Sequence, residues 1–299
     1  MSGVLDVSSP APMSLTTTRF TVTRLAPTIG AEIGGVQLAE VSDAAQVGEI
    51  RSLLLKHRVL VFRDQEMTSA QHVAFARRFG DLEVHPVYEH HEDHPELVML
   101  HADHERPGRE NIFHSDTTFR ERPSMASILR CIHCPEVGGD TIWCDMVAAY
   151  EGLPEEVKER IAPMSAVHDV LPSFGGRMTA ERRAQVRSEL PPVEHPVVRF
   201  HPETGEKILY VNQTFTTHLS TYNEPFDNYI GRERKLNSDG LLQYLARQAE
   251  VPEYQVRIRW QPDTVIFWDN RSTQHYAVQD YFPAKRHMQR ATIVGDKPR

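Results

Sequence analysis

His114 and Asp116, within Asn111-Ile112-Phe113-His114-Ser115-Asp116-Thr117-Thr118-Phe119, are an imidazole and a carboxylate two residues apart. In an extended strand such residues point the same way, about one strand repeat apart, and can grip one divalent metal from adjacent corners. They supply two-thirds of a facial site of two histidines and one carboxylate, which leaves coordination positions open on non-haem Fe(II). In a chain with 16 histidines the motif alone occurs by chance. A second stretch, Trp268-Asp269-Asn270-Arg271-Ser272-Thr273-Gln274-His275-Tyr276, offers His275 as the third ligand.

Three protein ligands on an octahedral ion leave room for a bidentate 2-oxo acid and for dioxygen. The remote carboxylate of such an acid demands a fixed cation, preferably the two-pronged guanidinium of arginine. Arg286 and Arg290 follow His275 across a turn at Asp280-Tyr281-Phe282-Pro283, and by the two-residue period they share a strand face with Met288. Two inward guanidiniums in a chain of net charge -8 need anions. One suits the co-substrate and the other an anionic substrate, although Arg290 could also pair with a nearby Asp or Glu.

The elements that must position these groups are mostly strands. The alternation from Phe20 to Leu38 predicts strands joined by glycine turns. Val47, Ile50 and Leu54 set a helix over Asp43–His57, and Thr68 with Gln71 makes a capping box for a second helix that Gly80 ends. Short apolar runs at 58–62, 97–100, 126–132 and 264–268 read as buried strands, and Gly138-Gly139 as the turn before a strand at Thr141. A further helix is expected at Leu153–Ile161, a hairpin between His195–His201 and Lys207–Val211, a helix at Asp239–Ala249, and strands at 255–260 and 288–294. The Arg-, Gly- and Pro-rich region Asp169–Pro192 reads as a long surface excursion, and His104–Glu110 as a lid. Residues 1–18 are expected to be a disordered lead-in to a single domain spanning 19–299, a β-sandwich or barrel with flanking helices.

At 299 residues, 40% hydrophobic and 25% charged, the chain can bury a large core. Net charge -8 argues against a nucleic-acid surface. No apolar run approaches the length of a membrane span. Cys131, Cys134 and Cys144 are too few for a disulfide framework, which points to a reducing cytoplasm. The assembly is expected to be a homo-oligomer, a dimer or tetramer.

Four linked stretches carry a specific resemblance: His114-Ser-Asp116-Thr-Thr-Phe119, Gly138-Gly-Asp-Thr141-Ile-Trp143, Trp268-Asp-Asn-Arg-Ser-Thr-Gln-His275-Tyr, and Arg286 with Arg290-Ala-Thr-Ile-Val-Gly-Asp. In this order, from about Leu25 to Lys297, the chain resembles the taurine dioxygenase (TauD/TfdA) family of Fe(II)- and 2-oxoglutarate-dependent dioxygenases. The resemblance implies a mainly β fold with flanking helices, the double-stranded β-helix or jelly roll. It implies His114, Asp116 and His275 as iron ligands, and Arg286 with the Thr141 hydroxyl on the distal carboxylate of 2-oxoglutarate. The reaction it implies oxidises 2-oxoglutarate to succinate and CO2 while hydroxylating an unactivated C–H bond of a small anionic substrate.

For a sulfonate such as taurine the hydroxylated product would release sulfite and an aldehyde. An alkyl sulfate or an aryloxyalkanoate is the alternative substrate within the family, and a jelly-roll metal-binding protein without turnover the alternative outside it. The family's substrate positions fall on His85, Tyr88, Phe174, Phe215 and Arg290, where plain core packing is the competing role for the two phenylalanines. Two departures stand out. Glu110 occupies the place of a family Asn, with Asn111 one step away, and the segment Ser220–Asn237 is extended.

Overall fold

Residues Val265 to Trp268 are apolar at every position, and only a strand covered on both faces can bury such a run. In the computed structural model, which describes residues 19–86, 88–105, 111–220 and 240–299, all five residues of the strand Val265–Asp269 are buried. The strand sits at the centre of a seven-stranded sheet. In spatial order the strands are Thr21–Arg24, Ala31–Gly34, Val59–Phe62, Val265–Asp269, Ser124–His133, Arg286–Val294 and Leu97–Ala102. All neighbours are antiparallel except Ala31–Gly34 with Val59–Phe62.

The two faces of this sheet carry different layers. Val265 and Phe267 point to the helices Ala44–His57 and Ser69–Ala76, where Phe75, Phe79 and Phe267 meet edge to face. Asp43 caps the first helix by accepting from Ala45 N, and Arg58 at φ 63° turns the chain out of it. The second helix starts with the expected capping box of Thr68 and Gln71. Ile266 and Trp268 point the other way, into an apolar layer with Trp143, Trp260 and Met288.

That inner layer is closed by a three-stranded sheet of Gln255–Ile258, Thr141–Asp145 and Thr273–Ala277. The turn that launches Thr141–Asp145 is built from Gly138 and Gly139 at φ 83° and 71°. Asp280 accepts from Gly139 N at 2.8 Å and would stand 2.7 Å from a Cβ at position 138, so glycine is required there. This contact ties the start of one strand to the turn that precedes Arg286. A second three-stranded sheet (Thr216–Leu219, Ser165–His168, Val193–Pro196) and the hairpin Val198–Phe200/Lys207–Leu209 complete a mainly β structure with helices on its flanks.

Four expectations need correction or lie outside the described residues. The His114–Asp116 motif is not a strand: His114 makes an isolated bridge, and the chain turns from Asp116 onward with Thr117 at φ 54°. The region 169–192 is not a bare excursion, since it folds into the helices Leu171–Phe174 and Ala180–Glu189, with Val170 and Val186 buried. The helix foreseen from Leu153 starts at Glu155, because Pro154 stands at its N-terminal boundary. Residues 1–18, positions 106–110 of the expected lid, 221–237 of the extended segment and position 239 at the start of the expected helix are outside the described residues. Among the described residues no helix is long and apolar enough to cross a membrane.

Candidate metal centre and the adjoining cavity

The two candidate histidines are locked together through their backbones. His114 N donates to His275 O at 3.0 Å and His275 N to His114 O at 2.8 Å, which sets the ring centroids 4.2 Å apart. Asp116 Oδ1 lies 3.9 Å from Nε2 of each histidine. One ligand atom from each of the three residues falls within 4.8 Å of the others. The turn at Thr117 achieves what an extended strand was expected to do, because Thr117 Oγ1 accepts from Ser124 N at 2.9 Å and fixes the loop.

The donor chemistry suits a divalent metal. His114 Nδ1 donates to Ile112 O at 2.7 Å, which leaves the Nε2 lone pair toward the group. Burial, reinforced by His114, pushes the His275 imidazole down to about 3, so it is neutral at neutral pH. Burial alone would raise the Asp116 carboxyl; the Arg290 guanidinium, with His275 and His114, outweighs it and holds the group well below the usual carboxylate range. Two imidazoles and one carboxylate on adjacent corners fit a first-row divalent ion with open positions.

Sequence reasoning missed the groups that hold the carboxylate. Ser127 Oγ donates to Asp116 Oδ2 at 3.0 Å. Asn270, fully buried, accepts from Asp116 N at 2.7 Å and donates to Asp116 O at 2.9 Å and to Ser124 O at 3.1 Å. It joins the loop carrying two candidate ligands to the turn that leads into His275. The available signal was a lone Asn beside Asp269 and Arg271, two charged residues that bind each other.

All five residues expected to meet substrate line one cavity of about 690 Å³, together with His114 and Asp116. Arg290 Nη1 donates to Asp116 Oδ1 at 2.8 Å, and the guanidinium also lies 5.6 Å over the Tyr88 ring. The competing expectation for Arg290, a carboxylate partner, is therefore realised while the residue still faces the cavity. His85 accepts from Tyr88 N through Nδ1 at 3.3 Å, and burial together with Arg290 pushes its imidazole down to about 3. A neutral His85 with Nδ1 accepting carries its proton on Nε2. Phe174 and Phe215 stack at 17° with centroids 6.3 Å apart and form an apolar wall.

Thr141 and Arg286 do not line this cavity; they meet at Trp260. Its Nε1 donates to Thr141 Oγ1 at 2.9 Å, and the Arg286 guanidinium lies 5.6 Å over its ring. Asn111 is exposed, and Glu110 is outside the described residues.

The profile described as taurine catabolism dioxygenase TauD, TfdA family matches residues 21–292. The chain is 35% identical over 288 residues to a protein of Acinetobacter baylyi named alkylsulfatase, covering 94% of this chain and 86% of the relative. It is likewise 35% identical over 278 residues to the alpha-ketoglutarate-dependent sulfate ester dioxygenase of Pseudomonas putida, covering 90% and 88%. Among solved structures, a taurine dioxygenase from Burkholderia xenovorans superposes with a TM-score of 0.76 at 36% identity, covering 94% of this chain and 91% of that one. With a match over nearly its whole length and relatives above 30% identity, the chain belongs to the TauD/TfdA family.

Proposed function

We propose that this chain is an Fe(II)- and 2-oxoglutarate-dependent dioxygenase acting on a small organosulfur anion with an apolar portion, an alkyl sulfate or a sulfonate. The observation that carries the reading is the His114–Asp116–His275 cluster opening onto a cavity that holds one guanidinium and an aromatic wall. Bound iron and 2-oxoglutarate would supply the oxidation of an unactivated C–H bond, with the keto acid leaving as succinate and CO2.

The chain's own residues bind and orient. His114, Asp116 and His275 would hold the metal, with Ser127 and Asn270 keeping the carboxylate in place. Arg286 would take the distal carboxylate of 2-oxoglutarate, backed by Trp260 and the Thr141 hydroxyl. Arg290 and the Nε2–H of His85 would face the sulfur-bearing head, and Tyr88 packs against both side chains. Phe119, Phe174 and Phe215 would exclude water and carry the apolar chain. Hydroxylation next to the head group yields a product that falls apart to an aldehyde and sulfate or sulfite.

The cavity of about 690 Å³ carries an apolar wall of Phe119, Phe174 and Phe215, which suits an alkyl chain that taurine lacks. The two relatives at 35% identity are named for sulfate esters, which favours an alkyl sulfate over taurine. The same aromatic wall would also accept an aryloxyalkanoate, and a relative from Cupriavidus pinatubonensis, 30% identical, is named for 2,4-dichlorophenoxyacetate.

The seven-stranded and three-stranded sheets that sandwich Trp143 and Trp268 are read as the halves of a double-stranded β-helix, within one domain spanning 19–299. A cytoplasmic homo-oligomer fits the sparse cysteines and the family. The test is succinate formation with Fe(II), 2-oxoglutarate and oxygen across alkyl sulfates, sulfonates and aryloxyalkanoates. Substrate-dependent succinate, greatest with alkyl sulfates and absent in Asp116→Ala, is expected. Turnover that survives Asp116→Ala would overturn the ligand assignment, and no stimulation by any organosulfur anion would overturn the substrate class.

A further inference from the structure

The strand Arg286–Val294 pairs with Leu97–Ala102 on one side and Ser124–His133 on the other, and the register sets His287 opposite both His101 and His133. Directly opposed residues share a sheet face, with Cβ atoms about 5 Å apart. The three imidazoles thus stand on three adjacent strands, His101 paired squarely with His287 and His133 facing it across a β-bulge, where the register shifts between His287 and Met288. Because neighbours along a strand alternate, the row lies on the face opposite to Arg286. The His101 and His287 rings are 4.0 Å apart at 31°. His101 and His133 are exposed and His287 is half-buried, with its Nε2 buried and without a hydrogen-bond partner among the described residues.

We propose that His101, His133 and His287 form a second metal site, separate from the His114–Asp116–His275 cluster, that takes a nitrogen-preferring divalent cation such as Zn2+, Ni2+ or Cu2+. Burial, with His101 and His133 adding to it, pushes the His287 imidazole down to about 4, so its nitrogens are not occupied by a second proton at neutral pH. Neutral imidazole suits Zn, Ni and Cu, whereas Mg2+ and Ca2+ require oxygen ligands. Two nitrogens on one tetrahedral ion stand about 3.3 Å apart, so the His101 and His287 rings, with centroids 4.0 Å apart, need only side-chain rotation to bring a nitrogen of each to one ion. The row is more open than the ligand cluster, but His101 and His133 are surface side chains whose rotamers are free to close on an ion. Leu97–Ala102 is the edge strand of the large sheet, so an ion held across the row fastens that edge to two inner strands.

The test is a calorimetric Zn2+ titration of the chelator-treated full chain. We expect two Zn2+ per chain, falling to one in Asp116→Ala and to one in the surface double variant His101→Ala/His133→Ala. On the Asp116→Ala background, zinc should still raise the melting temperature. Adding the two histidine substitutions should weaken that remaining site at least tenfold and abolish the rise. A single zinc equivalent in the unsubstituted chain, or unchanged binding after removal of both histidines, would overturn the proposal. Neither result bears on the dioxygenase reading, which is judged by succinate formation.

Discussion

Arg290 Nη1 stands 2.8 Å from Asp116 Oδ1, the same oxygen that lies 3.9 Å from both imidazoles. One carboxylate oxygen is thus shared between the guanidinium at the cavity and the place where a metal would sit. The two side chains are 7% and 6% exposed, so removing one partner strands the other in low dielectric. Arg290→Ala should destabilise the metal-free protein by about 3 kcal/mol in urea unfolding, and Asp116→Asn by a similar amount. The double variant should lose less than the sum. Strict additivity would show that the pair contributes no coupling.

Arg286 and Arg290 lie on one face of the same strand, yet only Arg290 lines the cavity. Loss of a charge-assisted bond to an anion is worth about 1.5–3 kcal/mol, or roughly ten- to hundredfold in affinity. Arg286→Ala should raise the KM for 2-oxoglutarate by that factor and leave substrate KM within about threefold. Arg290→Ala should do the reverse. Equal effects on both constants would mean that the two roles are misassigned.

Asn270 uses both ends of its amide on the Asp116 loop and is fully buried. Its removal leaves a buried N–H and carbonyl unsatisfied, at about 1–3 kcal/mol each. Asn270→Ala should lower stability by at least about 2 kcal/mol and weaken Fe(II) binding to the metal-free protein about tenfold or more. Ser127→Ala, which removes a single bond to Asp116 Oδ2, should have the same direction and a smaller size. Unchanged Fe(II) affinity in both variants would refute a positioning role.

Much of this was legible in the chain. Both stretches that converge in the candidate metal cluster, the capping box at Thr68, the glycine turn at 138–139 and the shared face of Arg286, Met288 and Arg290 depend on local periodicity or turn chemistry. Other features were not legible, for physical reasons. The helix Ala180–Glu189 buries only Val186, so it shows no apolar stripe. The turn at Thr117 is enforced by Ser124 across a loop, which no spacing reveals. Arg290 had two plausible anions, and only the fold shows that the carboxylate of Asp116 is within reach while the cavity remains open to the same side chain.

Acid should unfold the protein through its buried histidines. Burial pushes the imidazoles of His72 and His195 down to about 4 each. His72 Nε2 donates to Ile128 O and His195 Nε2 to Thr118 O, while their Nδ1 atoms are buried with no partner among the described residues. Protonation would place an unsatisfied cation there. The unfolded chain takes up these protons near pH 6.5, so between about 6.5 and 4 it binds more protons than the folded chain. Stability is therefore full above 6.5 and falls as pH drops toward 4, by up to about 3 kcal/mol per histidine. Urea midpoints measured across this window should fall with acid, and His195→Gln, which keeps a donor for Thr118 O, should flatten the slope. An unchanged slope would remove His195 from the account.

Phe174 stacks on Phe215 and meets Tyr88 edge to face at 5.7 Å, so it is part of the aromatic wall of the cavity. If an apolar chain rests on this wall, Phe174→Ala exposes it to water and forfeits the burial of several methylenes, at about 0.8 kcal/mol each. The kcat/KM for a long-chain alkyl sulfate should then fall about ten- to hundredfold. A substrate of taurine's size, which has no alkyl chain to lose that burial, should change by less than about threefold. Phe174→Leu, which keeps apolar volume, should recover most of the loss for the long chain and so separate substrate contact from damage to the short helix Leu171–Phe174. Equal losses for both substrates would show that Phe174 supports the fold and does not touch the chain.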